Sequence, residues 1–305
     1  MTYRILSIDG GGIRGVLSIT ILQRLQKEFP HFLSKINLFA GTSTGGILAL
    51  ALAAGKTPDL ALKLYVEKGK EIFKDTTFDN IKDAFGLAGA EYSNTGLINA
   101  LREEFGDMRL KDLNTRVLVA SFDLDNESAN MDMPRTWKPK FFHNYPGEGS
   151  DENELVVDVA VRTAAAPTFF PIYQGYVDGG VVANNPSLCA LTQAVDKNTG
   201  KQRLTSVALL SLSTGGYPKY LDVMNADWGL LKWGKNLIDI MLEGSLEVAH
   251  YQCTRILGQR YLRISPRLSR PISLGNLAEI PALVKTGQDY NLDAAYKFIK
   301  KYFSD

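Results

Sequence analysis

The chain has 305 residues, 45% hydrophobic and 22% charged, with a formal net charge of +1, a balance that suits a globular protein and gives no global field to attract a nucleic-acid polymer. Its two cysteines, Cys189 and Cys253, exclude a disulfide scaffold and fit a reducing compartment. No apolar run reaches the ~18–20 residues that span a bilayer, and a strand stands where a signal peptide would begin, so a cytoplasmic location is expected. That strand covers residues 3–8. It runs into Asp9-Gly10-Gly11-Gly12-Ile13-Arg14-Gly15, and a helical apolar pattern follows from Val16 to Leu25, ending before Pro30. A second apolar run, Ile36–Ala40, reads as a buried strand. It leads into Gly41-Thr42-Ser43-Thr44-Gly45, after which Gly46–Ala54 reads as a buried helix. G-x-S-x-G between a strand and a helix is the context of a nucleophile elbow. Glycines two before and two after the serine remove side chains that the sharp turn would drive together.

The first glycine loop fits two uses. Gly10 to Gly15 satisfies G-x-G-x-x-G, the dinucleotide fingerprint, and so admits a dinucleotide-binding oxidoreductase. That use needs an acidic residue about 20 positions on, at the end of the second strand. The second strand instead ends at Ser43, and Glu28, near that spacing, sits at a helix end. The other use is an oxyanion hole, in which side-chain-free residues expose successive N–H groups to a developing negative charge. Adjacent parallel strands would place both glycine loops at one edge of the sheet.

Further along, residues 57–73 and 96–105 are predicted helices. The Gly-, Asp- and Asn-richer stretch 75–96 reads as a long excursion of the kind that forms lids or binding loops. Residues 115–122 form a strong strand candidate. Asp123–Glu127 resembles the opening of a calcium loop but lacks the glycine and the bidentate glutamate, so it reads as a solvated turn. Residues 140–145 are a predicted strand and 154–164 a predicted helix. Gln174–Val177 leads into Asp178-Gly179-Gly180, where a carboxylate at a glycine turn can reach a cleft. Activation of Ser43 requires a base. Of the three histidines, His31 follows a helix end, His143 lies in a strand and His250 lies within the helical stretch 245–257, so none is well placed, and a carboxylate acting directly is the remaining option. Beyond these, 185–197 reads as a helix, 206–212 as a core strand and 276–303 as two closing helices. The apolar stretch 228–242 interleaves Trp228 and Trp233 with lysines. It admits either peripheral contact with a membrane face or a core helix with snorkelling lysines.

Asp9 to Gly15, Gly41 to Gly45 and Asp178 to Gly180, in that order, resemble the D-G-G-G-x-R-G loop, G-x-S-x-G elbow and D-G-G turn of the patatin-like phospholipase family. Arg162–Pro171 and Asn184-Asn185-Pro186 also resemble family segments. The recognisable motifs fall within residues 3–190, and the chain from about 190 matches none. The family is similar in fold and mechanism to the catalytic domain of cytosolic phospholipase A2. The resemblance implies a single α/β domain over residues 1–305, a three-layer αβα sandwich with a mainly parallel central sheet. It also implies a lipid acyl hydrolase with a Ser–Asp dyad of Ser43 and Asp178, acting on membrane phospholipid or lysophospholipid without metal or cofactor. Gly10, Gly11 and Gly12, with Gly15, would supply the oxyanion hole, and Arg14 would brace the loop or meet substrate phosphate. Some bacterial members resemble antiviral effectors switched on by cyclic nucleotides, which makes a cyclic nucleotide activator a further expectation.

Overall fold

The computed structural model describes residues 1–73, 90–126, 134–147, 149–218, 220–221, 224, 227 and 229–303. The predicted excursion at 75–96 therefore lies largely outside the described residues, as does Trp228. The chain opens with β1 (Tyr3–Ile8), a 3₁₀ turn at Gly12–Arg14 and α1 (Gly15–Glu28). β2 (Leu38–Thr42) and α2 (Thr44–Ala53) follow. The single helix predicted over 57–73 is instead α3 (Pro58–Lys63), a π-helical turn at Leu64–Lys68 and α4 (Gly69–Ile72). Thr57 starts α3 by accepting the Leu60 N–H at 3.4 Å, with Pro58 set at the first helical position, where its missing N–H costs nothing. Then come α5 (Asn94–Phe105), β3 (Arg116–Asp123), β4 (Lys138–His143), α6 (Val156–Ala164), β5 (Tyr176–Asp178), α7 (Gly180–Ala183) and α8 (Ser187–Val195). The segment after the recognised motifs contributes β6 (Val207–Leu212), α9 (Leu230–Leu257), β7 (Tyr261–Ile264), α10 (Ile280–Asp289) and α11 (Asp293–Tyr302).

One sheet runs in the order β4-β3-β2-β1-β6-β7, with β5 also paired to β3. β2, β1, β6 and β7 are mutually parallel, as are β2 and β3; β4 and β5 each run antiparallel to β3. The strand residues alternate between two apolar layers. Leu6, Ile8, Phe39 and Leu210 face a core shared with α1, α2, α6 and α10. Ile5, Leu38, Ala40 and Leu209 face a second, smaller core with α8 and the C-terminal part of α9. Every residue of β2 and β6 is buried, as strands covered on both faces require. This is the expected αβα sandwich. β7 is a strand that the sequence pattern does not announce. Trp233 lies on α9 with 43% of its surface exposed, which removes it from the core.

Chain order reverses at β1, whose neighbours are β2 on one side and β6 on the other. Such a switch point leaves a crevice beyond the carboxyl ends of the strands. The loops after β1 and β2 both open there.

The elbow after β2 leaves no room for side chains. A Cβ on Gly41 would stand 2.1 Å from Gly45 O, and one on Gly45 would stand 2.3 Å from Ile8 O. Both obstacles are backbone, so neither yields by a rotamer change. Gly41→Ala is expected to lower stability by at least ~2 kcal/mol in urea unfolding. Gly244→Ala, in α9 where an added methyl meets nothing within 4 Å, is expected to be neutral or to raise it by up to about 1 kcal/mol.

Candidate active site

Ser43 caps α2 with φ 54 and ψ −126, a left-handed backbone that a non-glycine residue holds only under constraint. The constraint is visible. The Ser43 N–H donates to Thr163 Oγ1 at 2.9 Å, and the Thr163 hydroxyl donates in turn to Ala120 O. Thr163, fully buried on α6, thus ties the elbow to β3. Thr42 adds a second anchor by donating its hydroxyl to Ala183 O at 2.6 Å. The Ser43 side chain stands at the N-terminus of α2, where free N–H groups favour negative charge.

Asp178 ends β5. Its register opposite Ser121 of β3, together with the Gly179 turn packed on Ala120 O, brings the carboxylate into the crevice. It is 6% exposed, Oδ1 accepts the Gly180 N–H at 2.7 Å, and it lines the same pocket as Ser43. Burial pushes its pKa from 3.8 up to about 6, against the opposing pull of the nearby Ser43 hydroxyl and the Gly180 N–H. No cation contributes to that balance. The site thus places together the two groups that lie 135 positions apart in the sequence, residues 43 and 178.

The glycine loop lies beside them. The Gly10 N–H is engaged with Asn184 O at 3.1 Å, and the Gly15 N–H is engaged with Gly12 O and Ile13 O. The N–H groups of Gly11 and Gly12 have no partner among the described residues, and both glycines line the same pocket as Ser43 and Asp178. Gly12 has φ +55, and a Cβ there would meet Leu274 O at 2.4 Å. Arg14 donates from Nε to Gly11 O and from Nη1 to Gly215 O, each at 3.4 Å. It braces the loop against the segment after β6, and it also lines the pocket. Asp9, at the root of the loop, is fully buried and accepts from Nη2 and Nη1 of Arg263 on β7, at 2.5 and 3.3 Å.

Two cavities meet at Ser43. The larger, about 930 Å³ including its mouth, is apolar and extends along α2 between α5 and α6, walled by Ile47, Leu48, Leu97, Leu101 and Phe169. The smaller, about 480 Å³, carries the polar groups: Arg14, Asp178 and Asn184, with the amides of Gly11 and Gly12. Gly12, Ser43, Ala166, Phe169 and Leu274 line both. None of the three histidines lines either cavity.

Several of these residues carry no sequence signal that marks them. Thr163 falls within the family-like segment Arg162–Pro171, but nothing in that segment points it at Ser43. Arg263 lies in a strand too short to stand out. Thr214, whose hydroxyl donates to Gly10 O at 2.7 Å, and Leu274, whose carbonyl accepts the Ile13 N–H at 2.7 Å, come from the motif-free segment after 190.

A family model described as patatin-like phospholipase matches residues 6–191. Protein teg of Priestia megaterium is 32% identical over 98% of this chain and 98% of its own length. The cGAMP-activated phospholipase of Pseudomonas aeruginosa is 31% identical over 87% of this chain and 79% of its own. Patatin-like protein 1 of Arabidopsis thaliana is 29% identical over 85% of this chain and 73% of its own. Among solved structures, VipD from Legionella pneumophila aligns with 99% of this chain and 67% of its own at a TM-score of 0.47 and 11% identity, too distant to bear on the site.

The raised pKa of Asp178 has a stability consequence. The folded protein binds a proton there between about pH 4 and pH 6 that the unfolded chain has already released. Stability contributed by the neutral carboxyl is therefore lost as pH rises through that window, by roughly 3 kcal/mol in total. Asp178→Asn keeps the acceptor for Gly180 and removes this loss. Its melting temperature should exceed that of the parent by a few degrees at pH 8 and converge with it near pH 4, measured by scanning calorimetry across pH.

Proposed function

Because this chain belongs to the patatin-like phospholipase family, we propose that it is a lipid acyl hydrolase, a phospholipase A or lysophospholipase, working through a dyad of Ser43 and Asp178. The observation that carries the reading is a buried carboxylate without a cation, facing an elbow serine at the mouth of an apolar cavity. Ser43 Oγ attacks the acyl carbonyl carbon, and the Asp178 carboxylate takes the hydroxyl proton. The Gly11 and Gly12 N–H groups donate to the oxyanion; Gly10 and Gly15, whose amides are engaged elsewhere, shape the loop instead. Collapse of the tetrahedral intermediate returns the proton to the leaving alcohol, and water then cleaves the acyl-enzyme by the same route. The acyl chain occupies the apolar cavity and the alcohol occupies the smaller pocket, within reach of Arg14.

The lipid surface meets the protein, on this reading, along α9. Trp233, Leu237, Ile240 and Met241 are exposed there, and the adjacent Leu242 lines the smaller pocket. Among the described residues no helix is long and apolar enough to cross a membrane. Peripheral contact is therefore the mode proposed.

A second reading keeps this chemistry under the control of a cyclic dinucleotide. The similarity to a relative that bears cGAMP activation in its name favours it. Phospholipase activity that rises severalfold on adding cGAMP supports it, and activity indifferent to cGAMP removes it.

A fluorophosphonate probe should label the wild-type chain at Ser43, located by peptide mass spectrometry, and fail to label Ser43→Ala. Asp178→Asn should lower kcat by ~10²–10⁴-fold. Because the base must be ionised, wild-type kcat/KM for a neutral ester should rise with pH up to about 6 and level off above it. Full activity in Asp178→Asn would overturn the dyad.

A further inference from the structure

We infer that α2 measures the acyl chain and that Ala51 sets the chain lengths the enzyme prefers, an inference that rests on the acyl-hydrolase reading above. Thr44, Ile47, Leu48 and Ala51 all line the apolar cavity. Their spacing of three, four and seven residues puts them on one face of the helix, so the cavity runs beside α2 from Ser43 to Ala51. Eight residues at a helical rise of ~1.5 Å make that path about 12 Å long.

At its Ala51 end the cavity is backed by charged side chains. Phe105 of α5 lines the cavity there, and the Lys56 ammonium stands over its ring, 5.3 Å from the centroid. The Lys56 N–H donates to Ala51 O at 2.9 Å, and Lys56 Nζ pairs with Glu104 at 2.9 Å. Behind the Ala51–Phe105 end therefore lies an ion pair rather than more apolar space. Pushing methylenes into it would strip water from both charges, which no alkyl contact offsets. An extended chain of single bonds advances about 1.2 Å per bond, so a straight acyl chain bonded to Ser43 brings roughly its tenth carbon beside Ala51. A four-carbon chain ends well short of it. Ala51 on α2 and Ala100 on α5 both line the cavity with small side chains.

The test is the ratio of kcat/KM for p-nitrophenyl laurate to that for p-nitrophenyl butyrate. Ala51→Leu extends a side chain into the cavity, and because it fills a void the melting temperature should hold or rise. The long-to-short ratio should fall at least tenfold. Ala100→Leu, reaching the same space from the opposite helix, should lower the ratio in the same direction and decides the matter if Ala51→Leu fails to fold. Variants that fold with the wild-type ratio, or that lose both esters equally, overturn the measuring role of α2 while leaving the dyad untouched. A wild-type chain that cleaves neither ester and resists the fluorophosphonate probe overturns the acyl-hydrolase reading, and this inference falls with it.

Discussion

The site exists because two strand ends are packed backbone against backbone. Gly45, in the first turn of α2, lies directly on the carbonyls of Ile8 and Asp9 where β1 ends, and Gly41 lies on Gly45. A methyl on Gly45 would push α2 off β1, and one on Gly41 would push it off β2. With both methyls absent, the chain turns from strand to helix within one residue, and that residue, Ser43, absorbs the turn in a left-handed conformation. Such strain persists only where its surroundings over-determine it. Here the Thr163 hydroxyl on the Ser43 N–H and the Thr42 hydroxyl on Ala183 O supply the determination. The same close approach carries the serine to the glycine loop after β1. The elbow and the free amides of Gly11 and Gly12 are thus two results of one packing contact.

Two buried aspartates in this crevice meet opposite fates. Asp9 is fully buried, and burial raises its pKa, but the Arg263 guanidinium grips both of its oxygens and opposes that rise. A carboxylate held in this way is an anchor: it fixes the root of the glycine loop to β7. Asp178 is equally enclosed and has only an N–H and a hydroxyl to stabilise its charge. Desolvation without a cation is what moves a carboxylate toward the pH at which proton transfer is useful. Removing either partner of the Asp9–Arg263 pair would leave a buried charge unpaired, a change that typically costs about 3–5 kcal/mol. The contrast between the two carboxyls is thus set by the presence or absence of a single guanidinium.

The parts legible in the sequence are those in which the chain has few options. Gly41 and Gly45 stand where only glycine fits, and the runs around them have the length and apolarity of a buried strand and helix. The buried runs of β1, β2, β3 and β6 announce a parallel sheet in the same way. What the sequence hides depends on partners far along the chain. Thr163 belongs to a family-like segment but shows its role only when Ser43 is placed beside it, and Arg263 is one arginine among many until β7 joins the sheet next to β6. Leu274 and Thr214 act on the glycine loop through a backbone carbonyl and a hydroxyl, neither of which demands a distinctive sequence pattern. The π-helical turn at Leu64–Lys68, inside the helix predicted over 57–73, also escapes the sequence pattern, and its Leu64 and Tyr65 line the cavity.

An apolar space of this size is itself an argument about selection. Protein interiors pack to the density of organic crystals, and a void forfeits the dispersion contacts of every group that lines it. The helix that walls this one, α2, is apolar almost all round, with Ala49, Leu50 and Ala53 buried in the core on one side and Ile47, Leu48 and Ala51 beside open volume on the other. Larger side chains at Ala51 and Ala100 would fill that volume and raise stability, a substitution that mutation offers readily. Leaving both positions small is consistent with a space kept for an apolar group supplied from outside. On the acyl-hydrolase proposal, the elbow serine at its mouth would receive the acyl carbon of that group.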